Sequence, residues 1–205
     1  MVSRRAFVAV LALGCGSLAS GQSLSCPALV EALRHGGYVV VMRHAHAPDA
    51  PPTAPAADAG NTKGERQLDA AGQKAAREMG AGLRALHLPI GAVWSSPTYR
   101  ARQTARLAGL RDAKIATELG DNGRTMSAAT GDQAGWLRSL ANRAPRGRTD
   151  TFVVTQYPNI KAAFGDEAAN MKDGEALVLR PANGAPLLAA RVTMEQWSRL
   201  AATAR

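Results

Sequence analysis

An apolar run, Tyr38-Val39-Val40-Val41-Met42, ends abruptly in Arg43-His44-Ala45-His46. A guanidinium presents a planar fork of donors that suits two oxygens of a phosphoryl group, and a neutral imidazole can serve as nucleophile or base. The run reads as a buried strand, and open α/β sheets place ligands at the carboxyl ends of their strands. Ile90 to Ser95 forms a second stretch of this kind, followed by Ser96, Pro97 and a predicted helix over Thr98 to Leu110 that carries Arg100. Proline suits a first helical turn, and a strand-to-helix junction turns backbone N–H groups toward an anion. Both stretches therefore point to phosphoryl chemistry. His44-Ala45-His46 with Asp49 also has the spacing of metal ligands, but the remaining histidines, His35 and His87, fall in turns and supply no partner. Arg34-His35-Gly36 repeats the Arg-His pairing ahead of the strand, and it reads as a turn with a surface histidine.

The strand running into Arg43-His44, followed by SSPTYRARQTA over Ser95 to Ala105, resembles the two signatures of the histidine phosphatase superfamily, the broad group that includes the phosphoglycerate mutases. The resemblance implies that His44 attacks phosphorus and becomes a transient phosphohistidine, while Arg43 and Arg100 bind the phosphoryl oxygens. It implies a glutamate ahead of a glycine-containing loop as proton donor to the leaving oxygen; Glu118 is the match, with Asp121 in reserve. No metal or other cofactor is implied, because the arginines provide the cationic clamp. The pattern breaks after the fourth strand, where the family stretch resembles VVTHxPNI with a second histidine on the phosphoryl oxygens, and this chain has Gln156. Glutamine offers an N–H at similar reach, but it is neutral, and charge-assisted hydrogen bonds are roughly twice as strong. The expectation is a metal-independent phosphomonoester hydrolase weakened by Gln156. The alternative is a non-catalytic protein that binds a phosphorylated ligand.

The elements that must position these residues alternate between strand and helix. Pro48, Pro51, Pro52 and Pro55 forbid regular structure in the loop from Ala47 to Gly64, and Asp69 is placed to cap a helix carrying Ala75, Met79, Leu83 and Leu86. A third strand is expected over Lys114 to Glu118, a helix over Ala128 to Ala144, and a buried strand over Thr151 to Thr155. ALVLRP and LLAARV, separated by Asn183 and Gly184, predict a hairpin, and a last helix over Glu195 to Ala202 buries Trp197 and Leu200. The alternation predicts an α/β fold: a three-layer αβα sandwich with a mostly parallel central sheet and a C-terminal antiparallel hairpin.

At 205 residues, 46% of them hydrophobic, the chain is long enough for one domain with a substantial core. The net charge of +9 comes from 20 arginines against 5 lysines, scattered over helical segments without forming a block. With 4% aromatics and no interleaved basic and aromatic run, nucleic acid is not the expected partner. A basic surface suits a small phosphorylated substrate or other anionic ligand. Residues 1–21 have the parts of a signal peptide: Arg4 and Arg5, an apolar stretch from Ala6, and the small residues Ala19-Ser20-Gly21. Ser3-Arg4-Arg5-Ala6-Phe7 resembles a twin-arginine motif, with general secretion as the other route. The expectation is an exported protein, periplasmic or secreted, with a single domain over residues 22–205 and no stable membrane anchor, the apolar stretch being too short for a span. Cleavage there leaves Cys26 as the only cysteine, read as a half-buried thiol.

Overall fold

The computed structural model describes residues 24–121 and 129–203. The expected signal segment and the loop that follows Asp121 lie outside the described residues. The element order is α1 (Cys26–His35), β1 (Val39–Arg43), α2 (Ala70–Ala85), β2 (Ile90–Ser95), α3 (Tyr99–Leu107), β3 (Lys114–Ile115), α4 (Gly131–Ala141), β4 (Asp150–Thr155), α5 (Tyr157–Phe164), β5 (Ala176–Arg180), β6 (Leu187–Val192) and α6 (Met194–Thr203). The strands form one sheet in the order β3-β2-β4-β1-β5-β6. β1, β2, β3 and β4 run parallel, β5 lies antiparallel to β1, and β5 and β6 make the C-terminal antiparallel hairpin.

Strand side chains alternate between faces, and β1 sorts accordingly. Val40 and Met42 pack into one core with Leu29, Leu33, Met79, Leu83 and Trp197 from the helices. Val39 and Val41 pack into a second with Leu137, Leu140, Ile160 and Phe164. Helices α1, α2 and α6 thus cover one face and α4 and α5 the other, which is the expected three-layer sandwich. Because β1 is buried on both sides as far as Met42, its first four residues read as a continuous apolar run.

Several boundaries differ from those the sequence predicts. β3 ends at Ile115, and residues 117–119 form a 3-10 turn whose Leu119 is fully buried. The predicted strand through Glu118 is therefore two residues of strand and a turn. α3 stops at Leu107 because Gly109, at φ +71°, takes the chain out of helix. Arg34 and His35 form the last turn of α1, and Gly36 (φ +72°) ends it. Cys26 opens α1 and is half-buried. Among the described residues, no helix is long and apolar enough to cross a membrane.

Candidate active site

The carboxyl ends of β1, β2 and β4 meet at one edge of the sheet. His44 continues the ladder, its N–H donating to Thr155 O at 3.1 Å, and Ser96 N donates to Val154 O at 2.9 Å. His44 is 4% exposed. Its Nδ1 lies 2.7 Å from Ala45 O. A carbonyl only accepts, so Nδ1 carries the hydrogen and Nε2 keeps its lone pair. That lone pair accepts from Arg100 Nε at 3.1 Å. Burial, more than any other influence, pulls the imidazole pKa down to about 3; Arg100 and Arg43 add to this, while the Ala45 hydrogen bond works against it. His44 is a neutral base at physiological pH.

Arg100 enters from the first turn of α3 and is 5% exposed. Its Nε–H is shared between His44 Nε2 and Gln156 Oε1, the latter at 3.0 Å, and its terminal nitrogen donates to Asp121 Oδ2 at 2.9 Å. Thr104, one turn on, donates to Arg100 O at 2.8 Å and accepts from Ala45 N at 3.0 Å, tying the helix to the residue after the imidazole. Gln156 is 2% exposed. A guanidinium has no acceptor, so the amide oxygen must face it, and the amide NH2 is directed to Ser96 Oγ at 3.1 Å and Thr98 Oγ1 at 2.8 Å. The N–H group that sequence reasoning reserved for a phosphoryl oxygen is engaged with these two hydroxyls. The first amide of α3, Tyr99 N, donates to Glu65 Oε2 at 2.8 Å, so a carboxylate of the chain itself sits at this helix N-terminus.

Arg43, at the end of β1, lies beside a loop that arrives from the far side of the sheet. Its terminal nitrogens donate to Met171 O at 3.1 Å and pair with Asp173 Oδ1 at 2.6 Å, and its guanidinium stands 5.6 Å from the Tyr157 ring centroid. Its buried Nε–H has no acceptor among the described residues. The second oxygen of Asp173 lies 2.7 Å from His46 Nδ1, and Asp69 Oδ2 lies 3.5 Å from His46 Nε2. The hydrogen bond to Asp173 raises the His46 pKa above its ordinary value, and the Asp69 charge acts in the same direction. Two glycines permit this closeness. A Cβ on Gly72, at the start of α2, would collide with the His46 carbonyl oxygen, and Gly174, at φ +72°, donates its N–H to His44 O at 2.9 Å.

The structure brings His44, Arg100, Gln156 and Asp121 into one hydrogen-bonded cluster and sets Arg43 beside it. Glu118 is not brought in: it stands half-buried in the 3-10 turn, its carboxylate accepting from Thr117 Oγ1 at 3.3 Å. The two imidazoles of His44-Ala45-His46 face different partners, one Arg100 and the other Asp173. Among the described residues, no group of three or more His, Cys, Asp and Glu side chains could hold a metal ion. Sequence reasoning missed Asp173 and Arg66. Arg66 is desolvated, its pKa lowered chiefly by that burial, and it straps the segment after His46 by donating to Ala47 O and Pro48 O, each at 2.7 Å.

A mostly parallel sheet carrying an Arg-His pair at a strand end, with a second arginine from the next strand-helix junction, defines a histidine phosphatase-like α/β protein. Residues 39–134 match the model of the histidine phosphatase superfamily (branch 1). It is similar in fold to the protein histidine phosphatase SixA in complex with tungstate: TM-score 0.55 and 21% identity, covering 78% of this chain and 98% of that one. It is also similar to the product of open reading frame Rv3214 from Mycobacterium tuberculosis, with TM-score 0.52, 17% identity and coverage of 75% and 96%. A phosphoserine phosphatase from Entamoeba histolytica in complex with 3-phosphoglyceric acid gives TM-score 0.51, 14% identity and coverage of 76% and 96%. None of the curated proteins matches the chain.

Proposed function

We propose that the protein is a metal-independent phosphomonoesterase that works through a phosphohistidine on His44 and is slowed by Gln156. The observation that carries this reading is the His44 imidazole: buried, neutral, fixed in one tautomer by Ala45 O, with its Nε2 lone pair accepting from Arg100. That is the state a nitrogen nucleophile needs. Arg43 and Arg100 flank the same ring and would take up the charge of the equatorial phosphoryl oxygens. The substrate class is a small phosphorylated compound, in keeping with the anions named for the SixA and Entamoeba structures. Phosphoryl oxygens would replace Asp173 on Arg43 and draw Arg100 from the His44 lone pair.

A second reading is favoured by the orientation of Gln156. Its oxygen, not its N–H, faces the cluster, which leaves a site able to hold a phosphorylated ligand through the arginines without turning it over. Phosphate release from p-nitrophenyl phosphate and from alkyl phosphates, with a chelator present, separates the two. Turnover by the native chain that disappears in His44→Ala supports the enzyme. Saturable binding of phosphoserine without any release supports the binder. On the signal-like pattern of residues 1–21, export from the cytoplasm is part of the proposal in either case, and N-terminal sequencing of the mature chain, read for loss of those residues, tests it.

A further inference from the structure

The phosphatase reading leaves the departing oxygen without a proton, and the following inference rests on that reading. Glu118 is turned to Thr117. Asp121 accepts from Arg100, the residue that also donates to the nucleophile. In an in-line displacement the leaving oxygen points away from the attacking nitrogen, so the donor belongs at the mouth of the site. His46 follows the nucleophile by two residues and opens to solvent, with its side chain 53% exposed.

We propose that His46, held by Asp173, is the catalytic acid that protonates the leaving oxygen and then the base that activates water. One carboxylate carries both parts: Asp173 Oδ1 pairs with Arg43 at 2.6 Å and Oδ2 with His46 Nδ1 at 2.7 Å. The imidazole is thereby fixed relative to the guanidinium that would grip the phosphoryl group. The loop itself is anchored to the nucleophile, since Gly174 N donates to His44 O and Arg43 N donates to Glu175 O. The cavity beside His46 holds about 300 Å³ and is lined by Gly72, Lys172, Asp173, Thr193 and Glu195. The charged groups around His46 are Asp173, Asp69 and Arg43, with Lys172 and Glu195 across that cavity. The carboxylates at contact distance outweigh the arginine, so His46 holds its proton more tightly than an ordinary histidine while His44, two residues earlier, gives its own up. Titratable neighbours driven in opposite directions are how acid and nucleophile roles divide in a site.

The step balances. As the His44 Nε2–P bond forms, the P–O bond to the alcohol breaks and its electron pair takes the proton from His46 Nε2. Neutral His46 then removes a proton from water as oxygen attacks phosphorus, and the P–N electron pair returns to His44. The test compares kcat/KM, which reports phosphoenzyme formation, for native protein and His46→Gln. The substrates are p-nitrophenyl phosphate, whose phenolate leaves without a proton, and an alkyl phosphate, whose alkoxide does not. The expected result is a loss of about 100-fold or more on the alkyl ester, within the range for general acid catalysis, and less than about threefold on the aryl ester. Asp173→Asn, which alters a positioning residue, should shift the alkaline limb of the alkyl profile to lower pH. Equal losses on both esters, or none on either, overturn the assignment while leaving the phosphatase reading intact. A native protein inactive on both esters overturns that reading and this one with it.

Discussion

Replacing Gln156 with histidine should make the enzyme faster and less stable at once. In the native chain the amide oxygen accepts from Arg100 at 3.0 Å and the NH2 donates to Ser96 and Thr98 at 3.1 and 2.8 Å. No N–H of Gln156 is therefore directed at a phosphoryl oxygen. An imidazole has one fewer donor than the amide and cannot satisfy both hydroxyls, so a buried hydrogen bond worth about 1 kcal/mol is lost for each one abandoned. Turned toward the phosphoryl group, its N–H adds one transition-state donor, for which about 3 kcal/mol is a ceiling, equivalent to a 100- to 1,000-fold gain in kcat. The expected result for Gln156→His is a rise in kcat of about tenfold or more, with 1,000-fold as the limit set by a single donor. A fall in unfolding free energy of about 1 to 2 kcal/mol should accompany it. Steady-state phosphate release and urea unfolding of the same preparation read both quantities. A folded variant with unchanged kcat would refute the argument that a missing donor at position 156 limits the native rate.

Asp150, fully buried at the start of β4, accepts from Tyr38 N at 2.9 Å and leaves its other oxygen without a partner; burial pushes its pKa up to about 7. The native carboxyl keeps a proton that the unfolded chain releases, so its cost grows as pH rises from about 4 to 7. Asp150→Asn should thus gain stability relative to native over that window, by at most about 4 kcal/mol, and urea unfolding that shows a pH-independent difference contradicts this. His44 should show no imidazole titration by NMR between about pH 4 and 8, while His46 titrates above the ordinary histidine value; a His44 midpoint near neutrality contradicts the burial argument. Gly72→Ala should destabilise the fold by about 1 to 3 kcal/mol as α2 is pushed off the His46 carbonyl, and an unchanged urea midpoint would show that the helix moves without cost.

Local features carried the legible part of the sequence. A strand buried on both faces must be apolar throughout, so Val39 to Met42 announced β1, and the residues that follow it were bound to emerge at the sheet edge. Arg43-His44 and Ser95 to Ala105 are each contiguous, which is why their motifs could be read. What stayed hidden depends on distant contacts. Asp173 meets His46 across 127 positions, and nothing near it in sequence marks it. Glu118 matches the resemblance in sequence, a glutamate ahead of a glycine-containing loop, but the strand expected to carry it stops at Ile115; the turn that buries Leu119 directs the Glu118 carboxylate to Thr117 and leaves Asp121 against Arg100. The direction of the Gln156 amide is set by Ser96 and Thr98 from another strand end, so the substitution was visible while its hydrogen bonding was not.

The central claim is that His44 becomes covalently phosphorylated. Rapid acid-free quenching of the native protein with p-nitrophenyl phosphate in the presence of a chelator, followed by peptide mass spectrometry, should find a phosphoryl group on His44 that is stable to alkali and labile to acid. Its amount should rise before steady state and vanish in His44→Ala. Product formation with no phosphorylated histidine, or with the label on another residue, would contradict the account.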